Sequence, residues 1–109
     1  MKHAMTKAAS ISKAVKEIVA ERDSIDGCPC CIICGKAGAP NAHYIPRSRG
    51  GLGIPENIVT LCADCHYDYD KTEKRTRIGN NISAYLKKFY PNFSDKDRIF
   101  HKWTEELRK

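Results

Sequence analysis

Two Cys-x-x-Cys pairs constrain the fold of this chain more than any other feature. Cys31 and Cys34 form the first pair, and Cys62 and Cys65 form the second, with 27 residues between the pairs. Each pair places two sulfur atoms on one side of a tight turn, and two such turns complete a tetrahedral thiolate site for Zn²⁺. A chain of only 109 residues has a small core, which a bound metal can reinforce. We therefore predict one structural Zn²⁺ on these four cysteines.

The two remaining cysteines leave the choice of zinc ligands open. Cys28 and Cys30 precede the first pair, so Cys28-x-x-Cys31 competes with Cys31-x-x-Cys34. Gly35 follows Cys34 directly and suits the turn that a zinc knuckle makes. This favours Cys31 and Cys34 as ligands, with Cys28 and Cys30 as spare thiols. The alternative, a redox Cys-x-x-Cys motif, requires only one pair.

Composition and charge point to a basic protein of one domain over residues 1–109. The 19 Lys and Arg side chains exceed the 13 Asp and Glu, for a net charge of +6. Such an excess favours a polyanionic partner, although solubility alone also explains it. No apolar run approaches the ~20 residues of a membrane helix, and the N-terminus lacks the apolar core of a signal peptide. We expect a cytoplasmic protein with no membrane association, in which cysteines bind metal rather than form disulfides.

Hydrophobic spacing predicts helices at both ends of the chain and a hairpin between them. An apolar stripe at helical spacing predicts an N-terminal helix or arm over residues 6–22. Residues 42–46 and 57–61 are two short β-prone segments joined by a loop rich in glycine, which favours a hairpin. A helix follows over residues 63–77 and is interrupted near Asn80 and Asn81. Further helices are predicted over residues 80–109.

Residues 42–51, AHYIPRSRGG, and residues 56–66, ENIVTLCADCH, resemble the HNH endonucleases. The similarity covers residues 31–70. Within the family, the segment most resembles the compact zinc-ribbon HNH proteins of tailed phages and prophages. It implies an α+β, mostly helical protein with a ββα-metal core over residues 31–77. The four-cysteine zinc site cross-links that core, and N- and C-terminal helices flank it. The implied activity is metal-dependent hydrolysis of DNA phosphodiester bonds, by nicking or by double-strand cleavage.

The resemblance also implies roles for three residues of the core. His43 matches the general base of the family, and an imidazole titrates near neutral pH as that role requires. Asn57 matches the Asn that holds the base-bearing strand or reaches the metal, and His66 matches a metal ligand. Two alternatives stay open: His43 could bind the metal directly, and His66 could serve a zinc thiolate instead.

One position departs from the family and affects the catalytic ion. Ala42 stands where the family usually has a metal-binding Asp or His. Asp70 follows His66 by four residues, so the two side chains share a helical face, with the spacing of a further His ligand in the nuclease colicins. We therefore expect His66 and Asp70, with Asn57 as a further candidate, to hold one Mg²⁺, Mn²⁺, Ni²⁺ or Zn²⁺. The alternative for Asp70 is a solvated surface carboxylate.

The expected partner is DNA, contacted by Arg47 and Arg49 in the loop after His43. Guanidinium groups suit phosphates bidentately, although a solvated charged face is the simpler alternative. The departure at Ala42 keeps a second function open, namely a non-catalytic DNA-binding zinc module or a phage DNA-packaging accessory. Resemblance to phage proteins makes terminase or other packaging proteins candidate partners, in the cytoplasm of a bacterial host. Both a monomer and a homodimer fit the sequence.

Overall fold

The N-terminal helix is divided in two rather than continuous. The computed structural model describes residues 7–100, in which residues 7–9 are helical and helix α1 spans Lys13–Arg22. Ser12 caps α1, because its hydroxyl accepts a hydrogen bond from the Val15 amide at 3.1 Å. A serine that bonds the backbone in this way starts a new helix and ends the preceding segment.

Two antiparallel pairs of short strands follow α1. They consist of β1 (Ser24–Ile25) with β2 (Cys28–Pro29), and β3 (Ala39–His43) with β4 (Ile58–Leu61). In the second pair Ala42 lies opposite Val59, and the register shifts between Ala39 and Ala42. The predicted hairpin is thus present, although its first strand begins three residues earlier than expected. The register shift is the signature of a β-bulge, which redirects side chains locally.

Two helices cover the hairpin, and the break between them differs from the sequence prediction. Helix α2 spans Ala63–Lys71 and helix α3 spans Arg75–Phe89. The chain breaks at Thr72, whose hydroxyl donates to the Asp68 carbonyl at 2.7 Å. No break occurs at Asn80 and Asn81. Gly79 lies inside α3. A Cβ at this position would approach the Tyr69 ring to 3.2 Å, so glycine allows the close packing of Tyr69 on the helix.

After α3 the described chain forms a short 3₁₀ helix, where a longer helix was predicted within residues 80–109. Asp95–Arg98 form a 3₁₀ helix, and Ser94 and Asp97 cap it reciprocally. Ile99 then pairs with Gly51 in an isolated β-bridge, so it does not lie on a helix. The remainder of the predicted last helix, residues 101–109, lies outside the described residues, as do His3 and His101.

The core forms where α3 packs on the β3–β4 hairpin. Its fully or almost fully buried side chains are Ala42, Val59, Leu61, Tyr69, Ile78, Ile82 and Leu86. A buried ion pair between Arg22 and Asp23, 2.7 Å apart, lies at the end of α1. The Asp23 carboxylate also accepts from the Thr60 amide of β4 and the Tyr85 hydroxyl of α3, and these bonds join the end of α1 to the core. The protein is therefore a small α+β domain.

No helix within residues 7–100 has the length and apolar character that crossing a membrane requires.

Candidate functional site

Four cysteine sulfur atoms converge at one end of the hairpin. The Sγ atoms of Cys31, Cys34, Cys62 and Cys65 all lie within 4.8 Å of one another, and those of Cys34 and Cys62 are 3.5 Å apart. Four sulfurs bound to Zn²⁺ at about 2.3 Å in a tetrahedron are roughly 3.8 Å apart. The cluster is therefore close to the size that a zinc ion needs. Cys28 and Cys30 are not part of it.

Local backbone geometry explains why the first pair forms a knuckle. Gly35 has a φ of +82° and donates its amide to the Cys31 carbonyl at 2.9 Å. Only glycine adopts this conformation without strain. The Ile32 amide bonds the Thr60 carbonyl at 3.0 Å, which fixes the knuckle to strand β4. The ligand choice made from Gly35 thus agrees with the observed cluster.

The thiol pKa values diverge as expected for sulfurs held together. Burial opposes ionisation of Cys31, but amides that include those of Cys34 and Cys62 bond its sulfur and lower its pKa to about 7. Burial, followed by hydrogen bonds to neighbouring thiols, raises the pKa of Cys65. Cys31 therefore favours the thiolate and Cys65 the thiol, and a bound cation would favour ionisation of Cys65 as well.

A second group of functional side chains lines an open cleft of about 920 Å³. It lies between the hairpin, the turn that follows β3, the start of the described chain and helix α2. Its walls include the predicted residues His43, Arg47, Arg49, His66 and Asp70, together with Ser10, Ile11, Lys16, Asn41, Pro46, Ser48, Lys71 and Arg75. The structure therefore brings five of the predicted site residues to one place.

His43 lies at the end of strand β3 and is half-buried at the edge of the cleft. Its Nε2 is 2.9 Å from the Ala9 carbonyl oxygen. Burial lowers the pKa of His43 below its ordinary value, although the bond to Ala9 acts in the opposite direction. Nearby Arg47 also contributes to the lower pKa. The imidazole is therefore mainly neutral at pH 7 and can accept a proton.

His66 and Asp70 lie one turn apart on α2, as predicted from their spacing. The His66 Nε2 atom is 3.2 Å from an Asp70 carboxylate oxygen, and both side chains are partly exposed. Two ligands at about 2.1 Å from one octahedral ion, at right angles, are roughly 3 Å apart. The pair therefore fits two adjacent positions around a divalent cation.

Asn57 is buried and fully engaged with the backbone rather than facing the cleft. Its side-chain oxygen accepts from the Ile45 amide at 2.9 Å, and its amide donates to the carbonyls of Ile45 and Leu52. Of the two roles that the resemblance left open, this geometry matches the one that holds the base-bearing strand. The same hydrogen bonds do not favour the other candidate role of Asn57, as an ion ligand.

Ala42 faces the core, whereas its neighbour Asn41 faces the cleft. Ala42 is 0% exposed and packs in the core cluster, while Asn41 is exposed and lines the cleft beside His43. Since Asn41 and His43 are two residues apart on a strand, their side chains share one side. Sequence reasoning missed Asn41, because the strand was predicted to begin at Ala42 and Asn41 was left outside it, whereas β3 spans Ala39–His43.

The basic side chains lie along the rim of the cleft. Arg47 and Arg49 are on a 3₁₀ helix, Arg47–Arg49, that follows Pro46, and both line the cleft. Arg75 is held in place, because it bonds the Tyr69 carbonyl at 3.0 Å and stacks on the Tyr69 ring. Lys16 of α1 also lines the cleft. Lys16 could not be placed from the sequence, since it lies 27 residues before His43.

Two glycines of the loop that follows the arginines, Gly50 and Gly51, allow its backbone to pack closely against neighbouring segments. A Cβ on Gly51 would lie within 1.7 Å of the Ile45 carbonyl oxygen. The amide of Phe100 also bonds the Gly50 carbonyl at 2.7 Å. The loop that carries the two arginines is thus anchored to its neighbours.

Comparison with known proteins gives two matches of similar extent. Residues 31–82 match the model of a family described as HNH endonuclease. Anaredoxin of Nostoc sp. is 38% identical over 50 residues, which are 44% of this chain and 66% of the relative. The chain thus spans slightly less than two thirds of the relative's length, and the relative's name does not describe a nuclease. No solved structure matches the chain significantly. The resemblance seen in the motifs is confirmed: over residues 31–82 the chain matches the HNH endonuclease family.

Proposed function

We propose that this protein is a metal-dependent endonuclease that hydrolyses DNA phosphodiester bonds in the cleft. The observation that carries the proposal is the position of His43. It lies at the same cleft as the His66–Asp70 pair, within residues that match the HNH endonuclease family. A base, two adjacent ion ligands and a basic rim are the components that metal-assisted phosphodiester hydrolysis requires.

In this proposal His43 is the general base. Its Nε2 faces a carbonyl oxygen, so Nδ1 is the nitrogen that accepts a proton from the attacking water. The lowered pKa of His43 keeps the imidazole in its basic form at neutral pH. The half-buried ring is held on one side by the Ala9 carbonyl, which limits the orientations available to Nδ1.

His66 and Asp70 hold the divalent ion, because a neutral imidazole and a carboxylate are common ligands for such cations. When bound, the ion stabilises negative charge on the phosphoryl oxygens and the leaving oxygen. The 3.2 Å between the two ligand atoms supports a shared ion. Asn57 holds the loop behind the site through its three hydrogen bonds and keeps His43 and Arg47 in register.

The cysteine cluster binds a structural Zn²⁺ in this proposal. All four ligands are cysteines, which leaves no open position for water and is typical of structural sites. Helix α2 begins at this cluster, because the Cys62 sulfur accepts from the Cys65 amide at 3.4 Å at the start of the helix. Zinc therefore orients the helix that carries His66 and Asp70.

Arg47 and Arg49 bind the DNA backbone, with support from Lys16, Lys71 and Arg75. Their positions along the cleft rim match a path for phosphates on either side of the cleaved bond. Such contacts bind phosphate regardless of sequence.

The test is a supercoiled-plasmid nicking assay across Mg²⁺, Mn²⁺, Ni²⁺ and Zn²⁺. The wild-type protein should nick DNA with at least one of these ions. His43→Ala should lower the rate by about 10²–10⁴-fold, the usual loss for a general base, with DNA affinity unchanged. His101→Ala, a histidine outside residues 31–82, is the matched control and should nick normally. Equal rates for His43→Ala and the wild type would refute the proposal.

A second candidate function is a non-catalytic DNA-binding zinc module or packaging accessory. One observation favours it. Within residues 7–100, the four-cysteine cluster is the one group of three or more His, Cys, Asp or Glu ligand atoms lying within 4.8 Å of one another, so the His66–Asp70 pair has no third such ligand. DNA binding without nicking by any of the four ions, together with capture of DNA-packaging proteins, would favour this function.

A further inference from the structure

The start of the described chain lies against the base, although it is far from the matched residues in sequence. Ala9 is 3% exposed, and its carbonyl oxygen is 2.9 Å from His43 Nε2. Ser10 and Ile11 continue along the wall of the same cleft. A segment that precedes residues 31–82 by about 20 residues therefore contributes a polar atom to the candidate active site.

Close backbone contact with the glycine-rich loop holds this segment in place. The Gly53 amide donates to the Ala8 carbonyl at 2.8 Å. A Cβ on Gly53 would lie 2.1 Å from the Ser10 carbonyl oxygen and 2.9 Å from that of Ala9. Only glycine permits this approach, and any side chain at position 53 would displace the segment. Gly53 also lies next to Leu52, whose carbonyl Asn57 binds, so the segment is tied to the base-bearing hairpin.

The contact with Ala9 determines which imidazole nitrogen carries the proton. A carbonyl oxygen only accepts hydrogen bonds, so neutral His43 must carry its proton on Nε2 to form this one. Nδ1 then keeps its lone pair. Without the contact, the imidazole would exchange between tautomers, and Nδ1 would be protonated for part of the time.

We propose that residues 7–10 are a positioning element of the active site, in which the Ala9 carbonyl holds His43 in the Nε2–H tautomer. The effect of this contact on the nicking rate rests on the proposed function, whereas its effect on the His43 tautomer does not. Ala9 is a positioning residue, because it acts on His43 and not on the substrate.

The test compares the wild type with two variants that remove the contact. Gly53→Ala displaces the segment while leaving it in the chain, and a protein lacking residues 1–10 removes it. The control, Ser12→Ala, removes the cap of α1 and leaves the Ala9 contact intact. Two-bond ¹H–¹⁵N NMR spectra of zinc-loaded protein report the tautomer, with His43 assigned by the peaks that His43→Ala loses. Zinc content and thermal unfolding show that each variant is folded.

The wild type and Ser12→Ala should show the Nε2–H pattern, and Gly53→Ala and the truncated protein should show averaged tautomers. The nicking rate should fall on the order of 10²-fold in both, through kcat rather than KM. An Nδ1–H pattern in the wild type, an unchanged tautomer in folded variants, or averaged tautomers with an undiminished rate would overturn the proposal. A wild type that does not nick overturns the proposed function instead, and the tautomer alone then decides whether Ala9 positions His43.

Discussion

Helix α2 carries two ligands of the cysteine cluster and both proposed ligands of the catalytic ion, and the two sites differ in completeness. Cys62 and Cys65 lie at its first turn, and His66 and Asp70 occupy the following turns. The cysteine cluster has four ligand atoms within 4.8 Å, two of them on buried residues. The cleft has the two proposed ion ligands, His66 and Asp70, whose nearest atoms are 3.2 Å apart and whose side chains are both partly exposed. One helix thus joins a closed site to an open one.

This difference follows from what each site must do. A structural ion is held best when protein atoms occupy every position, whereas a catalytic ion must leave positions for water and substrate. With zinc bound, the closed cluster would contribute folding free energy, because binding and folding of such sites are coupled. The open cleft is lined instead by partly exposed polar and basic side chains, which contribute less to the core. Removal of the closed site should therefore unfold the protein, whereas changes in the cleft should alter function alone.

The largest effect is expected at the closed site. Cys62→Ser should abolish zinc binding and lower the free energy of unfolding by more than about 4 kcal/mol, as losses of a structural metal do. Serine is a good N-cap, so this substitution preserves the start of α2 and isolates the metal. Zinc content by elemental analysis and urea unfolding measure the effect. Cys28→Ser, at an exposed thiol outside the cluster, is the control and should match the wild type. Normal zinc content in Cys62→Ser would contradict the prediction.

Short-range patterns in the sequence predict the closed site and its hairpin well. Two Cys-x-x-Cys pairs and Gly35 suffice, since the geometry of each knuckle is local. The β-prone segments around His43 and Ile58 likewise predict the strands that pair in the structure. The spacing of His66 and Asp70 places them correctly, because one helical turn relates them.

Long-range contacts explain the features that the sequence does not predict. The helix break falls at Thr72 rather than at Asn80, because the Thr72 hydroxyl bonds the backbone while the ring of Tyr69 packs over Gly79. The Ala9 contact with His43 joins residues 34 positions apart. Neither follows from periodicity or local propensity, since both depend on how distant segments pack.

The next largest effect is a difference in stability between substitutions on the two faces of strand β3. Ala42→Asp should lower the free energy of unfolding by about 3–5 kcal/mol, because it puts an unpaired carboxylate in the core. This corrects the expectation that position 42 faces the ion. Asn41→Asp should leave stability within about 0.5 kcal/mol, as surface changes do. The added ligand should also lower the metal concentration for half-maximal nicking by roughly tenfold. Urea unfolding and metal titrations test both variants; equal stability would place Ala42 on the cleft face.

A smaller effect tests whether Asp70 is an ion ligand or a solvated carboxylate. Asp70→Ala should raise the metal concentration for half-maximal nicking by about tenfold or more, since it removes one of two protein ligands, and outer partners alone contribute roughly 10–100-fold. Asp68→Ala removes the same charge from the same helix, but Asp68 pairs with Lys74 at 3.7 Å. That control should require no more metal than the wild type. Isothermal titration with Mn²⁺ should show the same difference without DNA. Identical behaviour of the two variants would make Asp70 a surface acid.

The smallest effect concerns the rim of the open site and is read from salt dependence. Arg47→Ala and Arg49→Ala should each weaken DNA binding for all sequences and reduce the slope of log affinity against log salt by roughly one unit. Each lost phosphate contact removes about one released counterion. Lys88→Ala, at an exposed position on α3 that is not among the cleft-lining residues, removes the same charge and should leave the slope unchanged. Fluorescence anisotropy with two unrelated duplexes between about 50 and 200 mM salt measures these slopes. If all three variants lose the same fraction of a unit, the rim acts only through net charge. If only the two arginine variants lose a unit, the phosphates lie along the cleft beside His43.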